Sequence, residues 1–395
     1  MKKGKQRGAG RKGTGATRNP IAGPVRGTAR VLVAPGLEEM LADELEALEL
    51  SCVVTEGAVL ADVDLRDLYA IHLYSRLGAR VMFEVGESGA GSLEAMYQGA
   101  RKINWKQYLS ADDVVTISIS IKGGRLKVKP AIEKKLRLAL SDALRTRGRP
   151  PKRARPNKHR LHVRIQGQRA WFSLDASGEH LYRRGWREHV SKAPIRENLA
   201  AAILAYAQWS PGEPLVDPMC GSGTIPIEAG CIAHGIAPGS QRTFGFETWP
   251  CHDASTFGQM RRESRQGFGA VATPGLILGG DVDERVIRAA THNVHKAGLE
   301  HEVLFQVSPF RNLQAPGEPG LVVMNPPYGR RVSESSRLRQ LYQHIGDVLR
   351  TRWAGWRIAI LVPQRSLLTD LNLPLIEVAS FRNGGISVAL MTGRV

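Results

Sequence analysis

A chain of 395 residues that is 42% hydrophobic can build two or three domains, each with its own core. No apolar run approaches the ~20 residues needed to cross a bilayer, the amino terminus lacks a hydrophobic region, and Cys52, Cys220, Cys231 and Cys251 are spaced too irregularly for a disulfide framework. A reducing cytoplasm is therefore the expected setting, and the net charge of +18 with a pI near 10.1 points to a polyanionic partner rather than a membrane.

The charge begins at once. Lys2, Lys3, Lys5, Arg7, Arg11, Lys12 and Arg18 precede the first acid, Glu38, in a glycine-rich stretch poor in apolar residues. Residues 1–28 read as a basic tail, disordered until it meets a polyanion, with a plain solubility tail as the alternative. A strand over 29–34 and an amphipathic helix over 37–50 then open a small α+β unit, 29–84. Strands over 79–87 and 114–121 and a helix over 129–146 carry it on.

A second basic block follows: Arg145, Arg147, Arg149, Lys152, Arg153, Arg155, Lys158, Arg160 and Arg164, with no acid between Asp142 and Asp175. Pro150, Pro151 and Pro156 make it a loop beside a strand over 161–165. It is a candidate phosphate-binding surface; an ordinary solvated loop is the alternative. Residues 179–194 read as a polar, arginine-rich linker. From 195 to 395 strands and helices alternate, as a mostly parallel, doubly wound sheet requires.

That region carries the chemistry. Leu215-Val216-Asp217 runs through Pro218, Gly221, Ser222 and Gly223 into a helix starting at Thr224. Its glycines let backbone approach a ligand, and the helix offers free N–H groups. The Gly-Lys-Ser/Thr of a P-loop is absent, and so is the full dinucleotide fingerprint. A second strand, Leu276-Ile277-Leu278, passes through Gly279-Gly280 to Asp281, where a ribose diol is usually gripped. Asp283 reads as the cap of the next helix. His292-x-x-His295 has no accompanying carboxylate or cysteine cluster, so no metal is expected.

Apolar Leu321 to Met324 then lead into Asn325-Pro326-Pro327-Tyr328. Two prolines remove N–H donors, leaving a carbonyl-rich tetrapeptide with the Asn325 amide and the Tyr328 ring. Such a site suits a planar base with an exocyclic amine, although Asn-Pro-Pro alone is also a common turn. Arg330 and Arg331 behind it are candidates for phosphates around a flipped nucleotide, or plain surface arginines. Asn383-Gly384-Gly385 between apolar runs predicts a closing hairpin.

The ordered set Asp217-Pro-Met-Cys-Gly-Ser-Gly-Thr, Gly280-Asp281-x-Asp283 and Asn325-Pro-Pro-Tyr-Gly resembles the class I S-adenosylmethionine-dependent RNA methyltransferases with an N-terminal THUMP domain. Within that group it is most similar to the N-terminal catalytic half of bacterial 23S rRNA guanine-N2 methyltransferases, over about 30–395. Supporting matches include Gly36-Leu37-Glu38-Glu39, Tyr74-Ser75-Arg76-Leu77, Ile103-Asn104-Trp105 and Arg183-Arg184-Gly185-Trp186-Arg187.

The resemblance implies a ferredoxin-like unit over 29–84, a THUMP domain over 85–178 and a Rossmann-like methyltransferase domain over 195–395. It implies S-adenosylmethionine held by Asp217, Pro218, Gly221, Ser222, Gly223, Thr224, Asp281, Ser308 and Asn325, and methyl transfer at Asn325–Tyr328 to a guanosine N2 amine of RNA, rRNA before tRNA. One departure stands out. The family places an acid after the third strand to accept from the adenine amine, but here Ser308-Pro309 follows Val303–Val307, so Ser308 or a backbone carbonyl accepts, or the cofactor binds more weakly. Guanine N2 in tRNA, adenine N6, and a non-catalytic RNA-binding assembly factor are the competing readings.

Overall fold

A computed structural model of the chain describes residues 25–145, 157–189, 194–267, 270–327, 335–383 and 385–395. The expected tail up to residue 24, most of the second basic block, and Tyr328 with Arg330 and Arg331 lie outside the described residues.

In the first half, β1 (Arg26–Leu32), α1 (Glu38–Glu46), β2 (Cys52–Thr55), β3 (Ala58–Asp64), α2 (Leu65–Tyr74) and β4 (Arg80–Gly89) form the ferredoxin-like unit, with strand order β2-β3-β1-β4. The Asp64 side chain starts α2 by accepting from the Arg66 and Asp67 N–H groups. Next come α3 (Leu93–Lys102), β5 (Val114–Lys122), α4 (Lys129–Leu144), β6 (Lys158–Gln166) and β7 (Arg169–Asp175), which extend the sheet to seven strands in the order β2-β3-β1-β4-β7-β6-β5.

The boundary expected at residue 84 therefore falls inside β4. That strand pairs with β1 from Arg80 to Phe83 and with β7 from Met82 to Gly89, so both expected domains share one sheet. The strands alternate as their sequences dictate. In β6, His159, Leu161, Val163 and Ile165 are buried, while Lys158, Arg160, His162 and Arg164 take the other face.

The second half contains α5 (Glu197–Tyr206), β8 (Leu215–Asp217), α6 (Thr224–Ala233), α7 (Ala254–Glu263), β9 (Ile277–Asp281), α8 (Glu284–Ala297) and β10 (Val303–Val307). It continues through β11 (Leu321–Met324), α9 (Ser335–Arg352), β12 (Arg357–Val362), α10 (Leu367–Leu371), β13 (Leu375–Asn383) and β14 (Ile386–Arg394). The strand order is β10-β9-β8-β11-β12-β14-β13, parallel except for β14, which runs antiparallel to both neighbours. The closing hairpin forms as expected, with Asn383 opposite Ile386. Gly279 and Gly280 belong to β9 itself: a Cβ on Gly279 would lie 2.5 Å from Phe305 of the adjacent β10, so packing requires glycine inside the strand.

The expected polar linker is a packed seam. Leu181, Arg184 and Trp186 are buried, and Arg184 donates to the Arg76 carbonyl at 2.6 Å and to Glu228 of α6 at 3.2 Å. Arg76, just after α2, reaches the same Glu228 oxygen at 3.1 Å and the Ile236 carbonyl at 2.6 Å. The segment between α6 and α7 presses on the first half. Gly239 lies so close to α2 that a Cβ would sit 2.1 Å from the His72 carbonyl, and Phe244, Phe246, Trp249 and Phe257 pack with Tyr69, His72, Phe83 and Tyr108. One apolar core thus runs through both halves.

Glu228→Ala leaves two guanidiniums at this seam without their shared carboxylate, a change that typically destabilises by about 3–5 kcal/mol. Urea unfolding followed by far-ultraviolet circular dichroism and by tryptophan fluorescence should show that loss with both signals moving together. An early transition seen by one signal alone would mean that the halves unfold independently.

Candidate active site

The parallel pairing brings the ends of β8, β9, β10 and β11 to one edge of the second sheet. Asp217 is the last residue of β8, Asp281 of β9 and Val307 of β10, while Asn325 follows the last residue of β11. β8 lies between β9 and β11, with the chain leaving it in one direction and returning on the other side. Open α/β sheets hold ligands in the crevice at such a reversal of strand order.

Around it the backbone bends tightly. Gly221 and Gly223 adopt φ of 54° and 84°, and Gly223 is the N-cap of α6. A Cβ on Gly223 would also meet Phe305 at 2.7 Å, so this glycine is fixed by both conformation and space. The loop is tied to β9: the Gly221 N–H donates to Asp281 Oδ2 at 3.1 Å, and the Cys220 N–H to the Gly280 carbonyl at 2.9 Å. Asp281 Oδ1 accepts from the Asp283 N–H at 3.0 Å, so the carboxylate is oriented by two backbone donors and keeps further lone pairs for hydroxyl groups. Asp283 caps α8, accepting from the Arg285 N–H at 2.9 Å, and its bonded Arg285 side chain holds its carboxyl down at about 2.

Asp217 differs in kind. It is buried, accepts one N–H from Met219 at 3.1 Å, and has its carboxyl raised to about 8, chiefly by burial and further by the nearby Asp281 charge. Burial and the same two carboxylates push the Cys220 thiol up, so it is no nucleophile. Pro218 is buried beside Asp217. Ser222 is buried with its hydroxyl unpartnered, an orphan polar group within the glycine loop. Thr224 is not open in that way, because its hydroxyl accepts from Arg187 at 2.7 Å, and Arg187 also pairs with Glu197 at 3.2 Å.

The Ser308 N–H donates to the Asp281 carbonyl at 2.9 Å and its hydroxyl to the Pro309 carbonyl at 3.2 Å, which leaves the hydroxyl oxygen as the acceptor on offer. Asn325 is half-buried, Pro326 buried and Pro327 exposed. The described members of the basic block, Arg145, Lys158, Arg160 and Arg164, belong to the first half rather than to this edge; the first three are exposed and Arg164 is half-buried.

Two features escaped the sequence reading. Val282 is 68% exposed and Val307 51% exposed, an unusual position for apolar side chains flanking Asp281 and Ser308. Asn293 of α8 is fully buried: its amide donates to the Ser222 carbonyl at 3.1 Å and the His189 carbonyl at 2.9 Å, and its oxygen accepts from the Glu188 and His189 N–H groups. It locks the glycine loop to the segment before α5. Helix periodicity marked Asn293 only as a helix residue.

These residues fit S-adenosylmethionine: an oriented carboxylate for a diol, an orphan hydroxyl and left-handed glycines at a helix start, and exposed apolar side chains suited to covering a ring. Asp281→Ala should weaken S-adenosylmethionine binding by roughly 1.5–3 kcal/mol in calorimetry; unchanged affinity would refute the diol role. Asp217 gives a pH signature. Its raised folded-state carboxyl binds a proton that the unfolded chain releases near its ordinary value of 3.8, so stability falls as pH rises from there to about 8. The cofactor-free Asp217→Asn variant should gain on the wild type across that window in denaturation series. A gap independent of pH would contradict the burial argument.

Comparison with known proteins agrees with this geometry. The RMKL-like methyltransferase domain matches residues 184–391, and the RlmL ferredoxin-like domain matches residues 30–82. The crystal structure of SMU.472 complexed with S-adenosylhomocysteine is 28% identical, with 94% of this chain and 99% of that chain covered and a TM-score of 0.82. A Listeria monocytogenes protein described as a predicted N6-adenine-specific DNA methylase is also 28% identical, with 93% and 96% covered and a TM-score of 0.83. TrmN from Thermus thermophilus, 20% identical with 93% and 99% covered and a TM-score of 0.67, shares the fold. The chain therefore belongs to the RMKL-like methyltransferase family, as an S-adenosylmethionine-dependent methyltransferase with a ferredoxin-like N-terminal domain.

Proposed function

We propose that this enzyme methylates the N2 amine of a guanosine in RNA, with 23S rRNA the foremost substrate. The observation that carries the reading is Asn325-Pro326-Pro327 directly after β11, at the same sheet edge as Asp217 and Asp281. S-adenosylmethionine supplies an electrophilic methyl group on a sulfonium. The Asn325 side-chain oxygen and a carbonyl of the proline-rich turn hold the two hydrogens of an exocyclic amine, which turns its lone pair away from the ring plane. Tyr328 covers the base. Asp281 takes the ribose hydroxyls of the cofactor, Ser222 and the loop N–H groups its polar tail, Val282 and Val307 the faces of its adenine, and Ser308 Oγ the adenine amine.

No strong base is required before attack, because the amine proton becomes acidic once the methyl has arrived. Positioning and exclusion of water do most of the work. The net charge of +18 supports a polyanionic substrate, and in this reading residues 85–178 serve as a THUMP-type RNA-binding region, with Arg145 to Arg160 and Arg330 and Arg331 on phosphates. The Listeria relative's description favours a second reading, adenine N6, which the same tetrapeptide would serve.

Asn325→Ala should leave cofactor affinity nearly intact and lower kcat by about 10- to 100-fold, since the lost acceptor matters only once the amine is in place. Mass spectrometry of nucleosides from RNA treated with enzyme and labelled cofactor should give N2-methylguanosine. N6-methyladenosine as the labelled product would replace the guanine reading with the adenine one, and loss of cofactor affinity equal to the loss of turnover would refute the role given to Asn325.

A further inference from the structure

The alternation that buries one face of the first sheet leaves the other to polar and basic side chains. There a cavity of about 360 Å³ opens, within the range of small-ligand clefts. Every residue lining it comes from a strand: Thr28 and Arg30 of β1, Glu84 of β4, Ser118 of β5, His162 and Arg164 of β6 among them. It is remote in sequence and fold from the β8–β11 edge, so the methyl-transfer site does not account for it.

Its charge is unbalanced. Arg80 pairs with Asp175, and Arg160 lies 3.8 Å from the same carboxylate. Arg30 and Arg164 form no ion pair among the described residues. Burial lowers the pKa of Arg30, and the Arg164 charge lowers it further, with only Glu84 opposing. An anion between the two guanidiniums relieves that repulsion.

Beside them is a stacking platform. Trp171, half-buried on β7, lies under Arg164, whose guanidinium carbon is 4.1 Å from the ring centroid, with Arg169 at 5.6 Å. Arg169 is neutralised by Glu87 at 2.7 Å; Arg164 is not. On the next strand His162 is held upright by Ser118 at 2.9 Å and Ser120 at 3.1 Å, and burial together with Arg164 and Arg30 favours its neutral ring. Planar groups, hydroxyls and unpaired cations on an open sheet face match an unpaired nucleotide: bases stack, phosphate meets arginine, and the Thr28, Ser118 and Ser120 hydroxyls lie on the same face.

We propose that this sheet face binds an unpaired segment of the substrate RNA, with a base stacked on the Arg164–Trp171 pair and a phosphate between Arg30 and Arg164. The proposal rests on the reading of the substrate as RNA. It makes the first domain a reader of single-stranded RNA rather than of duplex.

The test is fluorescence anisotropy with the full-length chain and a labelled, mixed-sequence ten-nucleotide oligoribonucleotide. Trp171→Ala should weaken binding by about five- to 150-fold, the effect of losing one base stack, while S-adenosylmethionine affinity stays unchanged. Arg164→Gln, which removes a charge without emptying the Trp171 position, should weaken binding and lower the log–log salt slope by about 0.7. It decides the matter if Trp171→Ala does not fold. Wild-type affinity in the folded variants, or duplex RNA competing as well as the single strand, overturns the proposal. Binding is read without methyl transfer, so a different methylated product overturns the guanine reading and leaves this one standing. A wild-type chain with no RNA affinity removes both.

Discussion

Glu228 is the group on which the arrangement of the two halves depends. It lies in α6, directly after the glycine loop, with its carboxylate buried against Arg76 from the first half and Arg184 from the connecting segment. Burying three charges is unfavourable unless each finds its partners. The guanidiniums gain further acceptors in the Arg76, Leu181, Cys231 and Ile236 carbonyls, although the buried Arg184 Nε and Glu228 Oε2 are left without partners. The same helix that presents its N-terminus to the cofactor loop thereby anchors the first domain. The sheet proposed to read RNA is held at a fixed position relative to the strand ends that carry the chemistry.

That fixed position gives the connecting segment its meaning. Asn198 of α5 donates to the Leu77 carbonyl, Arg242 reaches the Ser177 and Glu179 carbonyls, and the Tyr69 hydroxyl meets His252 at 2.9 Å, so contacts cross the seam along its whole length. For the proposed guanosine substrate, base identity alone offers little discrimination within a large RNA, and RNA is recognised mainly by shape and unpaired segments. Under the proposed function, a rigid separation between an RNA-binding face and the base-modifying edge would supply the missing selectivity.

The sequence made the catalytic edge legible because its devices are local. Asp217 and Asp281 end short apolar runs, Gly221 and Gly223 announce left-handed backbone, Asp283 announces a cap, and Asn325-Pro326-Pro327 follows a fully buried strand. What it hid was non-local. Glu228 sits in an apolar helix stretch, and its partner Arg76 lies 152 residues away, so nothing nearby marks it as half of an ion pair. Arg184 and Trp186 look like a solvated linker until those partners are known. Nothing local marks Gly279 as a strand residue, because the Phe305 ring that excludes a side chain there belongs to another strand. The division expected at residue 84 lies close to the end of the ferredoxin-like match at residue 82, but β4 serves two neighbours at once, so one sheet continues across it.

The central claim, one rigid body from the proposed RNA face to the methyl-transfer edge, is most directly tested by a distance. With the half-buried Cys52 and Cys251 changed to serine, spin labels at Lys122→Cys on β5 and Arg288→Cys on α8 report across the seam by pulsed electron spin resonance. The account predicts a single narrow distance distribution, the same with and without S-adenosylmethionine. A broad or two-peaked distribution, or one that shifts when the cofactor binds, would contradict it.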